Sequence, residues 1–150
     1  MTWKPSVTVA AVMERDGRFL LVEEENQDGG DPVYKQPAGH WEVDETLRQA
    51  CAREVLEESA HRFDPKQLVG VYRWSRPRRD VTYLRFAFCG EILGLDEGRT
   101  LDHGILRTLR LTPDEVRAIA LRHRSPLVWR CIEDYLAGRR YPLDLITYLA

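Results

Sequence analysis

Glu54, Glu57 and Glu58 stand near the end of the stretch 39–61, GHWEVDETLRQACAREVLEESAH. Carboxylates at this spacing share one face if the segment is helical. Thr46 with Gln49 three residues on is the capping-box pattern, so a helix is expected from there to about Ser59. At about 100° per residue, Leu47, Ala50, Cys51, Glu54, Glu57 and Glu58 fall on that face, and an apolar stripe turns acidic without changing direction. An ordinary solvated charge face lies opposite the buried stripe; these carboxylates extend the stripe toward the interior. Like charges so close repel, and desolvation raises the cost, so they persist together where a cation lies between them or where their pKa values rise. Hard divalent cations with oxygen ligands, Mg²⁺ or Mn²⁺, suit such a place. The plainer alternative is a charged helix end laced by i,i+4 pairs such as Arg53 with Glu57. For EVLEE alone, that alternative is the better one.

The wider spacing reverses the preference. Gly39, then Glu45, then Arg53-Glu54-Val55-any-Glu57-Glu58 stand at offsets that resemble the signature of the Nudix hydrolase family. The resemblance extends over essentially the whole chain and implies a Nudix-type α/β/α sandwich with a mixed central sheet. It also implies divalent-metal catalysis in which Glu54, Glu57 and Glu58, with the Gly39 carbonyl, hold Mg²⁺ or Mn²⁺. Arg53 then orients the carboxylates and Glu45 braces the loop before the helix. The family pattern continues with glycine and an aliphatic residue, where this chain has Ala60 and His61. Glycine there would permit a left-handed helix exit that alanine resists, so the departure bears on the helix end and not on the carboxylates.

Length and composition bound the rest. A chain of 150 residues is most simply one domain over 1–150. With 43% hydrophobic and 31% charged residues it reads as an ordinary soluble globule, and a net charge of -2 exerts no global pull toward nucleic acid. Cys51, Cys89 and Cys131 form no CxxC and lie in periodic segments, so they read as reduced packing residues of a cytoplasmic protein. The longest N-terminal apolar run, Val7 to Met13, has strand length, and neither a signal peptide nor a membrane span is expected.

Around the glutamate helix, the chain must supply elements to position it. Val7 to Met13 and Phe19 to Glu23 are β-rich runs with Asp16-Gly17 between them, the usual hairpin signal. Glu24 to Pro32 lacks periodicity and reads as a mobile loop, a candidate lid or specificity loop. Val33 to Gln36 is a short strand before the bend at Pro37-Ala38-Gly39. His40, a lone histidine, is given no role.

Beyond the helix, Leu68 to Trp74 reads as a strand running into Trp74-Ser75-Arg76-Pro77-Arg78-Arg79-Asp80. This loop with Arg73 is either a solvated basic turn or a phosphate clamp of guanidinium forks, with Trp74 placed to stack on a heterocycle or merely to cap the sheet. Val81 to Glu91 alternates Leu84, Phe86 and Phe88 against Tyr83, Arg85, Ala87 and Cys89. Arg85 on so apolar a strand needs an anionic partner, a box carboxylate or the substrate. Glu91 and Asp102 are candidates for a carboxylate from outside the box. Both also read as plain surface acids, Asp102 the more readily.

Ile105 to Leu111 is a further strand. Thr112-Pro113-Asp114-Glu115 is a second capping box opening a helix to about Leu121, and Ser125-Pro126 opens another that Gly138 ends. Leu143, Ile146 and Leu149 are spaced for a short docked helix in the tail.

The segments VTVAAV, FLLVEE, QPAGHWEVDETL, YLRFAF, RSPLV and AGRRYPLDLI are similar to a bacterial phosphatase branch of the family. That resemblance implies release of orthophosphate from nucleoside di- and triphosphates or hydroxymethylpyrimidine pyrophosphate, by a water attacking phosphorus in line while Mg²⁺ neutralises the phosphate oxygens. Glu54 or Glu57 takes the proton. The expected partner is thus a small phosphorylated substrate, for a monomer or homodimer. No basic stripe is long enough to track a nucleic-acid backbone. Two other readings stand beside it: a pyrophosphatase of oxidised nucleotides or ADP-ribose, and a Nudix-fold binding module without hydrolysis.

Overall fold

The computed structural model describes residues 1–78 and 81–149; Arg79 and Asp80 of the arginine loop, and Ala150, lie outside them. In chain order the elements are β1 (Ser6–Val12), β2 (Glu14–Arg15), β3 (Arg18–Glu24), β4 (Val33–Lys35), β5 (Ala38–His40), α1 (Leu47–Ser59), β6 (His61–Ser75), β7 (Thr82–Leu95), β8 (Ile105–Leu111), α2 (Pro113–Ala118), α3 (Leu127–Leu136) and β9 (Tyr141–Pro142). One sheet runs β5-β1-β7-β6-β9 and is mixed, because β1 pairs β7 in parallel while its other edge takes β5 antiparallel. A second, antiparallel sheet centres on β3, which pairs β2, β4 and β8.

Successive side chains of β1 and β3 serve opposite cores, as the period of two requires. Val9, Ala11, Leu20 and Val22 pack with Leu47, Ala50, Cys51 and Val55 of α1, joined by Phe63, Leu68 and Phe88. Val12, Phe19 and Leu21 pack instead with Val116 of α2 and Val128, Cys131 and Ile132 of α3. Helices therefore cover both faces, the α/β/α sandwich that the sequence implied. All three cysteines are buried and free. Among the described residues no helix is long and apolar enough to cross a membrane.

The two strand runs flanking Asp16-Gly17 do not form one hairpin. Asp16 and Gly17 do turn the chain, both with positive φ as a type I′ turn demands, yet the pairing back on β3 covers Glu14 and Arg15 and reaches no further than the Met13 carbonyl. The longer run β1 leaves for the other sheet, where β5 and β7 pair with both of its edges. The tail also differs from expectation: β9 pairs with Gln67 and Leu68, and a single 3₁₀ turn, Leu143–Leu145, replaces the docked helix. Pro142 ties the chain to an extended entry, and a segment this short cannot sustain a helix alone. Leu143 and Ile146 reach the core, but Leu149 is 89% exposed.

Helix α1 begins as the sequence predicts. The Thr46 side chain accepts from the Gln49 amide, and the Gln49 side chain accepts from the Thr46 amide. It ends on Ala60, which takes the left-handed conformation (φ 59°, ψ 13°) despite its Cβ. That conformation costs alanine about 1–2 kcal/mol. The Ala60 amide donates to Leu56 O at 2.9 Å and its carbonyl accepts from Asp96 at 2.7 Å, so both sides of the peptide are held. The chain therefore enters β6 at His61 with no intervening loop, and β6 is longer than the predicted Leu68 to Trp74.

Candidate active site

Strand order sets the site. In register, β1 places Val9 opposite Gly39 of β5 and Thr8 opposite Arg85 of β7, so β5 and β7 stand two strand spacings apart, about 10 Å. An open cleft of about 570 Å³ lies over this part of the sheet. Its acidic wall is the last two turns of α1. Glu54 is buried, its carboxylate pressed against Gly39, where any Cβ would overlap it. Glycine is needed at residue 39 for this close approach rather than for a turn.

Arg53 organises that wall. It forms a fork on Glu45, Nε to Oε2 at 3.0 Å and Nη2 to Oε1 at 2.7 Å, and Glu45 itself accepts from the Glu42 amide. Its Nη1 then donates to Glu54 at 2.8 Å and to Glu57 at 3.3 Å, and Nη2 to the His40 carbonyl at 3.1 Å. One planar group thus fixes the loop before the helix and two carboxylates on it. Asp102 completes the group from the loop between β7 and β8: its amide donates to the Glu57 carbonyl at 2.9 Å, and oxygens of Glu54, Glu57 and Asp102 lie within 4.8 Å of one another.

The opposite wall is cationic and aromatic. Trp74 and Tyr83, a cross-strand pair of β6 and β7, stack at 6.0 Å with 14° between their planes, and both line the cleft with Arg76 and Arg85. Arg85 is only 9% exposed. Its Nη1 lies 3.9 Å from Cys131 Sγ, its Nε has no partner, and among the described residues no carboxylate pairs with it.

A carboxylate cluster held by one arginine thus faces a buried guanidinium across the cleft, and groups of both charge signs line it. The model of the NUDIX domain matches residues 2–129. This chain belongs to the Nudix hydrolase family. It is 38% identical to the phosphatase NudJ of Escherichia coli K12 over 144 residues, covering 96% of this chain and 92% of NudJ. A Nudix hydrolase from Nitrosomonas europaea is 51% identical and superposes with a TM-score of 0.94, covering 97% of this chain and 98% of that one. A MutT Nudix hydrolase from Burkholderia pseudomallei, 17% identical with a TM-score of 0.73 and covering 88% of this chain and 98% of that one, shares the fold.

Within this Nudix hydrolase the electrostatics separate the box glutamates. Burial pushes Glu54 up to about 7, repulsion from Glu58 and Glu57 adds to the rise, and Arg53 opposes it. Glu58 is also raised by burial, against the pull of Lys35, whereas Glu45 is held low by its bond from Arg53. The donor set offered by Glu54, Glu57 and Asp102 is all carboxylate oxygen, and the Glu54 group fits the space that Gly39 leaves for it. Such a set fits Mg²⁺ or Mn²⁺ and has no soft ligand for zinc or copper.

Not every residue singled out in the sequence reaches the cleft. Arg78 lines, with Arg73 and Trp3, a second depression at the β6–β7 turn that shares Arg76 with the cleft. Glu91 is exposed, opposite Asp64 in the long hairpin and away from the box. Asp102, the more readily read as a surface acid, is the outside carboxylate that joins it. The cleft also contains Lys35, Glu24 and Arg124, which the sequence reading passed over. A lysine on a short strand that follows Val33 and Tyr34 was the available signal for Lys35.

Proposed function

We propose that this enzyme hydrolyses phosphoanhydride bonds of a nucleoside di- or triphosphate, or of hydroxymethylpyrimidine pyrophosphate, with release of orthophosphate. The observation that carries this reading is the opposition of Glu54, Glu57 and Asp102 to Arg85 and Arg76 across one cleft, with the Trp74–Tyr83 stack at its rim. Phosphatase rather than pyrophosphatase chemistry is favoured by the similarity to NudJ over nearly the whole of both chains.

Glu54, Glu57 and Asp102 would hold Mg²⁺ or Mn²⁺, with Glu58 and the Gly39 carbonyl beside them. The ion when bound supplies positive charge to the phosphate oxygens and makes water more acidic. Arg53 bridges Glu54 and Glu57 through one nitrogen and fixes the aim of both, so neither has to be ordered when substrate arrives. Glu54 or Glu57 accepts the proton of the water that attacks phosphorus. Arg85 and Arg76 take phosphate oxygens on the far side, which relieves the unpaired buried charge of Arg85 in the same step. Trp74 offers its face to the heterocycle.

The test is product analysis in Mg²⁺ on nucleoside di- and triphosphates, ADP-ribose and hydroxymethylpyrimidine pyrophosphate. Stepwise orthophosphate is expected. Pyrophosphate plus nucleoside monophosphate, or AMP plus ribose phosphate, would establish the pyrophosphatase reading instead, and no product at all would leave a binding module. Glu57→Gln should abolish turnover while the fold persists; native activity in that variant would refute the assignment of Glu57 to the metal.

A further inference from the structure

Lys35 is 5% exposed, on a strand whose neighbours are buried, with its ammonium inside the catalytic cleft. All of its donors are directed at oxygen: Glu58 Oε1 at 2.8 Å, Glu58 Oε2 at 3.0 Å and the Ala38 carbonyl at 3.0 Å, with Glu24 Oε2 at 3.9 Å. Glu58 takes a further bond from the Ala38 amide at 2.9 Å, and Glu24 is paired on its other side by Arg124. Charges therefore alternate along Arg124, Glu24, Lys35 and Glu58. The neighbouring acidic group has no such compensation, because Arg53 is shared among Glu45, Glu54 and Glu57 while Asp102 brings a further negative charge.

We propose that the Lys35 ammonium is a built-in cation that occupies the oxygen nest of Glu58, Ala38 and Glu24 in place of a divalent ion. The inference rests on the reading of the cleft as a divalent-metal site. Both Glu58 oxygens are engaged by one fixed charge, and a divalent ion drawn to the same oxygens would lie against that like charge in a buried space. Ions are accordingly held on Glu54, Glu57 and Asp102, and the protein loads fewer of them than its carboxylates would allow. Lys35 is a positioning residue in this account: it fixes Glu58 without touching substrate.

The experiment counts Mn²⁺ bound per chain at pH 8, from the loss of the free-ion signal in electron paramagnetic resonance, for the wild type and Lys35→Met. The side chains are similar in length, and only the wild type carries the charge. One additional Mn²⁺ in Lys35→Met is expected, with Glu58→Gln on the wild-type background leaving the count unchanged. Equal, non-zero uptake by the wild type and Lys35→Met overturns the inference and leaves the metal reading standing; so does loss of an ion in Glu58→Gln. Absence of uptake by the wild type overturns both. Circular dichroism monitors folding, and if Lys35→Met does not fold, Lys35→Gln, which keeps a hydrogen-bond donor without the charge, takes its place. If neither folds, the Glu58→Gln count decides.

Discussion

The Glu54 carboxylate lies directly against the backbone of Gly39, closely enough that a methyl group on residue 39 would overlap its carbon and both oxygens. β5 and α1 approach this closely because β5 is held to β1 through Ala38, Gly39 and His40, and α1 packs on the same sheet through Leu47, Ala50 and Cys51. Gly39→Ala should therefore displace Glu54 and leave the fold intact. A shift of about 1 Å in a catalytic group costs on the order of 100-fold in rate. Steady-state kinetics with a circular dichroism control should show a loss of that size in kcat; a Gly39→Ala enzyme with wild-type kcat would mean that the Glu54 position is unimportant.

Arg85 presents the opposite case, a group whose removal should help the fold and harm the function. Its guanidinium is buried with an unpartnered Nε and no carboxylate among the described residues. Replacing an uncompensated buried charge by an apolar side chain of similar length is commonly neutral or stabilising. Arg85→Met should keep or raise Tm while KM for a nucleoside triphosphate rises roughly 10- to 100-fold, the worth of a charge-assisted hydrogen bond. Thermal unfolding and Michaelis kinetics on the same preparation check both halves, and a fall in Tm with unchanged KM would make Arg85 a structural residue.

Asp102 and Glu91 lie beyond the helix in sequence, and only Asp102 joins Glu54 and Glu57 in space. Asp102→Asn should reduce Mn²⁺ affinity and kcat at least 10-fold, as loss of one charged ligand or its immediate support does. Glu91→Gln should change neither. Isothermal titration with Mn²⁺ distinguishes the pair, and equal effects of the two substitutions would remove Asp102 from the site.

That contrast shows why the sequence discloses some of the site and not the rest. Glu54, Glu57 and Glu58 are legible because one helix fixes their relation, and the capping pair Thr46 and Gln49 states where the helix begins. Arg53 and Glu45 are legible through the same fixed offset. Asp102 is not, since its place depends on a backbone bond to Glu57, 45 residues earlier in the chain, one that no local pattern encodes. Lys35 and Glu58 meet from a strand and a helix 23 residues apart, which periodicity does not report. Nor does alternation reveal which sheet a strand joins: β1 and β3 carry similar patterns, and the partition between two cores emerges only when α1, α2 and α3 are in place. Ala60 teaches the reverse lesson. The residue type disfavours the left-handed exit, and the contacts of its peptide with Leu56 and Asp96 impose it.

The raised Glu54 pKa makes stability depend on pH in a direction opposite to that of most paired carboxyls. Burial lifts it from 4.5 to about 7, so folding favours its protonated form; the stabilising contribution is complete below about pH 4.5 and is lost as pH rises through 7. A shift of this size corresponds to on the order of 3 kcal/mol, or roughly 6–12 °C in Tm for a chain of this length. Glu45, held low by its Arg53 bond, works the other way, losing its contribution as pH falls. The comparison must therefore be made between wild type and Glu54→Gln, in which only the first effect is removed. In chelator-treated protein, the Tm of the wild type should fall relative to that of Glu54→Gln between pH 5 and pH 8. Mg²⁺ should restore more of it at pH 8 than at pH 5, because the ion binds the folded, ionised carboxylates. Parallel Tm curves for the two proteins across that range would show that Glu54 ionises as readily as an exposed glutamate.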